Sequence, residues 1–128
     1  MKQQTLHRTI GRPLDETVAT VDILAALKDL KAEAALEREG RNSIIFHKEE
    51  FLKVVLVAMR AGNEIRPHKA EVPITVQVIE GSIRFNTEKG SKQLNNGELL
   101  TLHAGAIHGV KALEDAAFLL TLAGPHGH

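Results

Sequence analysis

Two histidines, His68 and His108, each stand within a β-like segment that is flanked by glycines. An imidazole titrates near neutral pH, and its ring nitrogens can donate a hydrogen bond, accept one or coordinate a metal ion. Brought together, two such side chains could transfer a proton, bind a polar group or form part of a metal centre. They are far apart along the chain, so this chemistry depends on a fold that joins their segments.

The residues around both histidines resemble the two signature motifs of the cupin family. The first motif reads G-x5-H-x-H-x3-E-x6-G, and it is matched by Gly62, His68 and Gly81. The second reads G-x5-P-x-G-x2-H-x3-N, and it is matched by Gly97, Gly105 and His108. The resemblance covers residues 43–122 and implies a β-barrel with an interior site.

Four motif positions are substituted: Ala70 replaces the second histidine, Ile74 the glutamate, His103 the proline and Ala112 the asparagine. Metal-binding cupins use three histidines and one glutamate, so the resemblance leaves only His68 and His108 as ligands. Two imidazoles hold a divalent ion weakly, because stable sites have at least three protein ligands. His103 or His47 is a candidate third ligand, and the ion would be Zn, Fe, Mn or Ni.

Strand parity predicts which side chains share the interior with the histidines. Alternate residues of a strand point to opposite faces, so Arg66 and Ala70 share the face of an inward His68. The resemblance places position 74 inside, which brings Val76 with it, and an inward His108 brings Val110. The predicted pocket therefore consists of Arg66, His68, Ala70, Ile74, Val76, His108 and Val110. It is mostly apolar with a few convergent polar groups, as ligand sites usually are.

Arg66 is the charged member of this predicted pocket. Burying its guanidinium without an anion would be very costly, so an inward Arg66 requires a partner. Glu64, Glu71 or the carboxylate of a ligand could be that partner. The alternative is an ordinary surface arginine, which is the more common situation for this residue type.

The elements that would position this site are mainly strands. Apolar residues at Val21, Leu24, Leu27 and Leu30 recur at helical spacing and predict one helix over residues 21–39. From residue 43 onward, short β-rich runs alternate with glycine turns. The strands are expected at residues 43–47, 51–59, 74–80, 83–86, 99–102, 107–113 and 117–122. This pattern predicts an all-β cupin-type double-stranded β-helix, a jelly-roll barrel with one N-terminal α-helix outside it.

We expect three regions: an N-terminal arm and helix (1–42), the cupin barrel (43–123) and a flexible tail (124–128). The 128 residues carry 16 basic and 16 acidic side chains, so no net field attracts nucleic acid or an anionic membrane. There is no cysteine, no secretion signal and no apolar run of membrane-spanning length. These features predict a cytoplasmic protein with no nucleic-acid or membrane partner. Open sheet edges predict a homodimer.

Three functions are compatible with the sequence. The first is a cupin that is weakly metallated or metal-free and binds a small ligand, such as a carboxylate, in its cavity. The second is a metal-dependent enzyme of the dioxygenase or isomerase type that uses His68 and His108 as ligands. The third is a dimerisation module whose barrel is filled by its own side chains. The substitutions Ala70 and Ile74 weigh against the enzyme, and the two retained histidines weigh against the module.

Overall fold

The computed structural model describes residues 18–125, which form two short helices followed by nine strands. The predicted arm at residues 1–14 and residues 126–128 of the predicted tail lie outside the described residues. In chain order the elements are α1 (Ile23–Ala32), α2 (Ala34–Glu39), β1 (Arg41–Glu49), β2 (Leu52–Met59), β3 (Glu64–Lys69), β4 (Ile74–Glu80), β5 (Ser82–Thr87), β6 (Gly90–Asn95), β7 (Leu99–Leu102), β8 (Ile107–Ala112) and β9 (Ala116–Ala123).

The strands form two antiparallel sheets. The larger, sheet A, has five strands in the order β1-β2-β9-β4-β7, and sheet B has four in the order β3-β8-β5-β6. Several neighbours in each sheet come from distant parts of the sequence, such as β2 beside β9 and β3 beside β8. The all-β jelly-roll architecture expected from the sequence is confirmed.

The core lies between the inner faces of the two sheets. Sheet A contributes alternate residues of its strands, such as Val55 and Val57 of β2 and Ile74, Val76 and Val78 of β4. Sheet B contributes a second set, Ile83, Phe85, Leu94, Val110 and Ala112. This period-two burial is what a half-buried β-strand produces, because successive side chains point to opposite faces.

The helices cover the outer face of sheet A. Leu27 and Leu30 of α1 and Leu36 of α2 pack against Phe46 of β1 and Leu56 of β2 in a second apolar cluster. None of the helices in the described residues is long and apolar enough to cross a membrane.

The helical region predicted over residues 21–39 is confirmed, but it is divided into two helices because the chain breaks at Glu33. This residue is extended (φ −84°, ψ 145°), and it ends α1 and precedes α2. Buried Asn42 of β1 stabilises the break, since its Nδ2 donates to the carbonyl of Leu30 at 3.2 Å and to Oε1 of Glu33 at 2.7 Å. Its Oδ1 accepts from the amide of Ser43 at 3.0 Å. A β1 side chain therefore replaces helical hydrogen bonds, which propensity alone does not predict.

The β4–β5 turn connects the two sheets at one end of the barrel. Gly81 has φ +72°, and a Cβ there would lie 2.2 Å from the carbonyl oxygen of Asp115 in the β8–β9 turn. The amide of Leu113 donates to the carbonyl of Ser82 at 3.0 Å, which joins the same two turns. Only glycine meets both the conformational and the steric demand at position 81.

Candidate functional site

A cavity of about 570 Å³ opens between the two sheets, beside β1 and β3. This volume lies within the range of ordinary small-molecule sites, roughly 300–1,000 Å³. Its apolar wall is formed by Val57, Ile65, Pro67, Ile74, Val76, Phe85, Val110, Phe118 and Leu120. Its polar groups are Arg41, Asn42, Ser43, Glu64, Arg66, His68 and His108.

The pairing of β3 with β8 brings the two histidines together. Their strands are antiparallel neighbours, and His68 lies directly opposite His108 in the register. The register shifts between Ile65 and His68, so Arg66 and Pro67 form a bulge in β3. Gly109 allows the close approach, since a Cβ there would lie 3.1 Å from the carbonyl oxygen of Ile65. The two imidazole centroids are 4.4 Å apart and their planes are tilted by 55°.

His108 lies in the cavity wall with only 5 % of its surface exposed, whereas His68 is exposed at the mouth. The ring of Phe85 stacks on His108 with centroids 5.4 Å apart and planes within 9° of parallel. Burial lowers the pKa of His108 below its usual value, and neighbouring His68 lowers it further. The hydrogen bond to the carbonyl of Ala106 raises the pKa, but it does not offset the lowering. The neutral imidazole is therefore favoured at neutral pH.

Each imidazole is held by a backbone carbonyl two residues earlier in its strand. Nδ1 of His68 lies 2.9 Å from the carbonyl oxygen of Arg66, and Nδ1 of His108 lies 3.0 Å from that of Ala106. A carbonyl oxygen only accepts hydrogen bonds, so each Nδ1 carries the proton and donates. In the neutral ring this leaves Nε2 with a free lone pair in both residues.

The mouth of the cavity carries charged side chains. Arg41 of β1 donates from Nη1 to the backbone oxygen of Glu64 at 3.1 Å, which ties sheet A to β3 across the opening. Arg66 is exposed and forms no ion pair with Glu64 or Glu71 within residues 18–125. Of the alternatives expected for Arg66, the structure shows a solvent-accessible arginine that also lines the cavity.

Most of the predicted pocket residues line this cavity, and one does not. Arg66, His68, Ile74, Val76, His108 and Val110 all lie in its wall. Ala70 does not, because β3 ends at Lys69 and Ala70 is half-buried against the core beyond the strand.

Neither candidate third ligand reaches the histidine pair. His103 is exposed in the loop after β7, and His47 of β1 contacts Oε1 of Glu49 at 2.8 Å. Among residues 18–125, no three histidine, cysteine, aspartate or glutamate side chains lie together as a metal-binding group. With Ala70 and Ile74 at two ligand positions, the residues present do not fit the four-ligand site that the resemblance implies.

Several cavity residues were not predicted from the sequence. Ser43 lines the cavity from the expected strand, and Arg41 and Asn42 join it because β1 begins two residues before that strand was expected. Strand parity placed no acidic residue inside, yet Glu64 lines the mouth beside the bulge. Phe85 and Phe118 lie on inward positions of β5 and β9, which alternation along those strands could have indicated.

Comparison with solved structures identifies the architecture. A cupin of the RmlC-like type from Desulfovibrio desulfuricans is 24 % identical, with a TM-score of 0.64 over 74 % of this chain and 92 % of that chain. KdgF from Halomonas sp. is 23 % identical, with a TM-score of 0.62 over 66 % of this chain and 79 % of that chain. The protein therefore has the cupin fold, as the motif resemblance predicted.

Salicylate 1,2-dioxygenase from Pseudoaminobacter salicylatoxidans, in its adduct with gentisate, is also similar in structure. It is 16 % identical, with a TM-score of 0.72 over 88 % of this chain but only 37 % of that chain. No protein-family model matches the sequence, and no curated protein matches it. At these identities the likeness establishes the fold, and function must be argued from the cavity of this chain.

Proposed function

We propose that this protein binds a small organic acid with an apolar body in the barrel cavity, without a tightly held metal ion. The observation that carries the proposal is a cavity with a largely apolar wall and two arginines at its mouth. A barrel filled by its own side chains, as a dimerisation module would have, leaves no such space.

The wall favours an apolar ligand body. Val57, Val76 and Phe118 of sheet A face Phe85 and Val110 of sheet B across the space. Removing apolar ligand surface from water contributes roughly 25 cal/mol per Å², so even a single-ring or branched aliphatic group gains several kcal/mol before the cost of association. This extent of apolar surface disfavours sugars and other highly hydroxylated ligands.

The mouth favours one carboxylate. Arg41 and Arg66 contribute two positive charges and Glu64 one negative charge, which leaves one net positive charge when the histidines are neutral. A monoanion balances this charge, whereas a dianion adds repulsion from Glu64. Arginine binds carboxylates through two parallel hydrogen bonds, and Arg66 has no acidic partner within the described chain that would compete.

A thermal-shift and calorimetric screen tests this proposal. Monocarboxylic acids with one- or two-ring bodies should raise Tm, because a ligand at a hundredfold excess over Kd stabilises by about 2.7 kcal/mol. Their methyl esters, which keep the body and lose the charge, should not. Failure of every acid in the series to bind would overturn the proposal.

A matched pair of arginine variants locates the binding site. Arg66→Gln should weaken acid binding about tenfold, since a charged hydrogen bond contributes about 1.5 kcal/mol. Arg84→Gln is the control, because Arg84 is an exposed arginine of β5 that does not line the cavity. Equal affinity of both variants would place the acid elsewhere on the molecule.

A metal-dependent enzyme is the second candidate, and one observation favours it. Histidines that bind metals usually donate their other ring nitrogen to a backbone carbonyl or a carboxylate, and both His68 and His108 do so. Titration with Zn²⁺ and Ni²⁺ decides between the candidates. Weak binding that His68→Ala abolishes supports the first proposal, and stoichiometric tight binding would favour the enzyme.

A further inference from the structure

The histidine pair gives the cavity two hydrogen-bond acceptors. Because Nδ1 of His68 and of His108 donates to a backbone carbonyl, the neutral rings hold their lone pairs on Nε2. Within the described residues the only hydrogen bond of each ring is the one at Nδ1. Although only 5 % of the surface of His108 is exposed, its Nε2 is not fully buried, so a donor from a ligand or from solvent can reach it.

A carboxylate cannot supply that donor. An ionised carboxyl group only accepts hydrogen bonds, and its complement is the guanidinium of Arg66 or Arg41 at the mouth. A ligand that pairs with these imidazoles must therefore carry a second polar group that donates a hydrogen bond, such as a hydroxyl. A neutral hydroxyl also suits the setting of His108, whose ring is stacked on Phe85 away from bulk solvent.

We infer that the ligand is a hydroxy acid: an apolar body with a carboxylate toward the arginines and a hydroxyl that donates to Nε2 of the His68–His108 pair. This inference rests on the proposed function and narrows its ligand class. It assigns the two retained histidines a role in recognition that needs no metal ion. It also explains how a site can keep both imidazoles when Ala70 and Ile74 occupy the other motif positions.

Matched ligands test the inference. Benzoate, the three hydroxybenzoates and the three methoxybenzoates would be compared by calorimetry, together with 2-naphthoate and its hydroxy derivatives for the two-ring case. At least one hydroxy acid should bind about 2- to 10-fold tighter than its parent acid, as one added neutral hydrogen bond allows. Its methoxy counterpart, which has no donor, should lose this gain.

A histidine variant connects the gain to the pair. His108→Phe keeps a planar ring beside Phe85 and removes the acceptor, so the hydroxy acid should bind this variant no tighter than its parent acid does. His68→Ala, at the exposed mouth, gives the same test if His108→Phe does not fold. His103→Gln, outside the cavity, is the control and should keep the preference.

The outcomes separate the two proposals. If no acid binds, the proposed function fails and the hydroxy-acid inference fails with it. If parent acids bind but hydroxy acids bind no tighter, or if methoxy acids bind equally well, only the hydroxy-acid inference is overturned. The ¹⁵N chemical shifts of the histidines give a ligand-free check, since a protonated Nε2 on His108 at neutral pH would also overturn it.

Discussion

At the residue scale, His108 both packs against the core and presents a ring nitrogen to the cavity. Its ring fills space against Phe85, and its Nδ1 proton is fixed by the carbonyl of Ala106. In the neutral ring, Nε2 of His108 carries no proton and can accept a hydrogen bond beside His68. Burial of the ring makes protonation of His108 unfavourable, which makes the stability of the folded protein depend on pH.

We predict that the free energy of unfolding falls as the pH is lowered below about 6.5, in part because of His108. Burial lowers the pKa of His108 in the folded protein relative to its usual value of 6.5. Between the two values the unfolded chain binds a proton that the folded chain does not, so stability rises with pH. The contribution of His108 to the free energy of unfolding is fully present above pH 6.5. It is lost as the pH falls through the lowered pKa of His108 in the folded protein.

Urea unfolding at several pH values between 5 and 8 measures this effect by its pH slope. His108→Phe should flatten the slope below pH 6.5, whereas His103→Gln, which changes an exposed histidine, should leave it as in the parent protein. An unchanged slope in His108→Phe would show that other groups control the acid sensitivity.

The sequence predicted some of these residues better than others. His68 and His108 could be placed together because each falls on a motif position, and the structure does bring them side by side. Arg41 and Glu64 could not be placed at the cavity from the sequence, since Arg41 precedes the expected start of β1 and Glu64 lies beside a bulge. Alternation along a strand predicts sides only where the register is regular, and it fails at the mouth where β3 shifts.

At the element scale, the jelly roll depends on turns that hold its two sheets together. The β4–β5 turn at Gly81 lies against the β8–β9 turn at Asp115, so one contact fixes four strands. The strands around these turns followed from local pattern, and β4 and β7 have the predicted bounds. The break at Glu33 could not be predicted from local pattern, because the Asn42 side chain that stabilises it belongs to a strand that follows the helices.

We predict that Gly81→Ala destabilises the protein more than Gly97→Ala. Both glycines have positive φ, +72° and +91°, where alanine costs about 1–2 kcal/mol. Only Gly81 also faces backbone, and nothing lies within 4 Å of a Cβ at Gly97. The clash with Asp115 should add about 1–3 kcal/mol, as overpacking does. Equal urea midpoints for the two variants would indicate that the turns separate freely.

At the scale of the whole molecule, each sheet edge has a feature that disfavours further strand pairing. Among the described strands, β1 and β3 each contain a register shift, and β3 also contains Pro67. The edge strand β7 has four residues, and β6 is polar with Lys92 at its centre. Bulges, prolines, short strands and lysines all protect edges. We therefore propose that the homodimer expected from the sequence forms through the face of a sheet and not through a sheet edge.

The outer face of sheet A over β4 and β7 is the surface we propose for that dimer. The helices cover its other half, while Leu99 of β7 remains 59 % exposed opposite Gln77. A two-fold contact would bury Leu99 from both subunits. Light scattering should give a molar mass of twice the chain mass, and the Leu99→Lys variant should have the mass of one chain. Phe51→Lys, an equally exposed apolar residue in the β1–β2 turn, should leave the mass unchanged. A monomeric parent protein, or a dimer that only Phe51→Lys disrupts, would rule out this face.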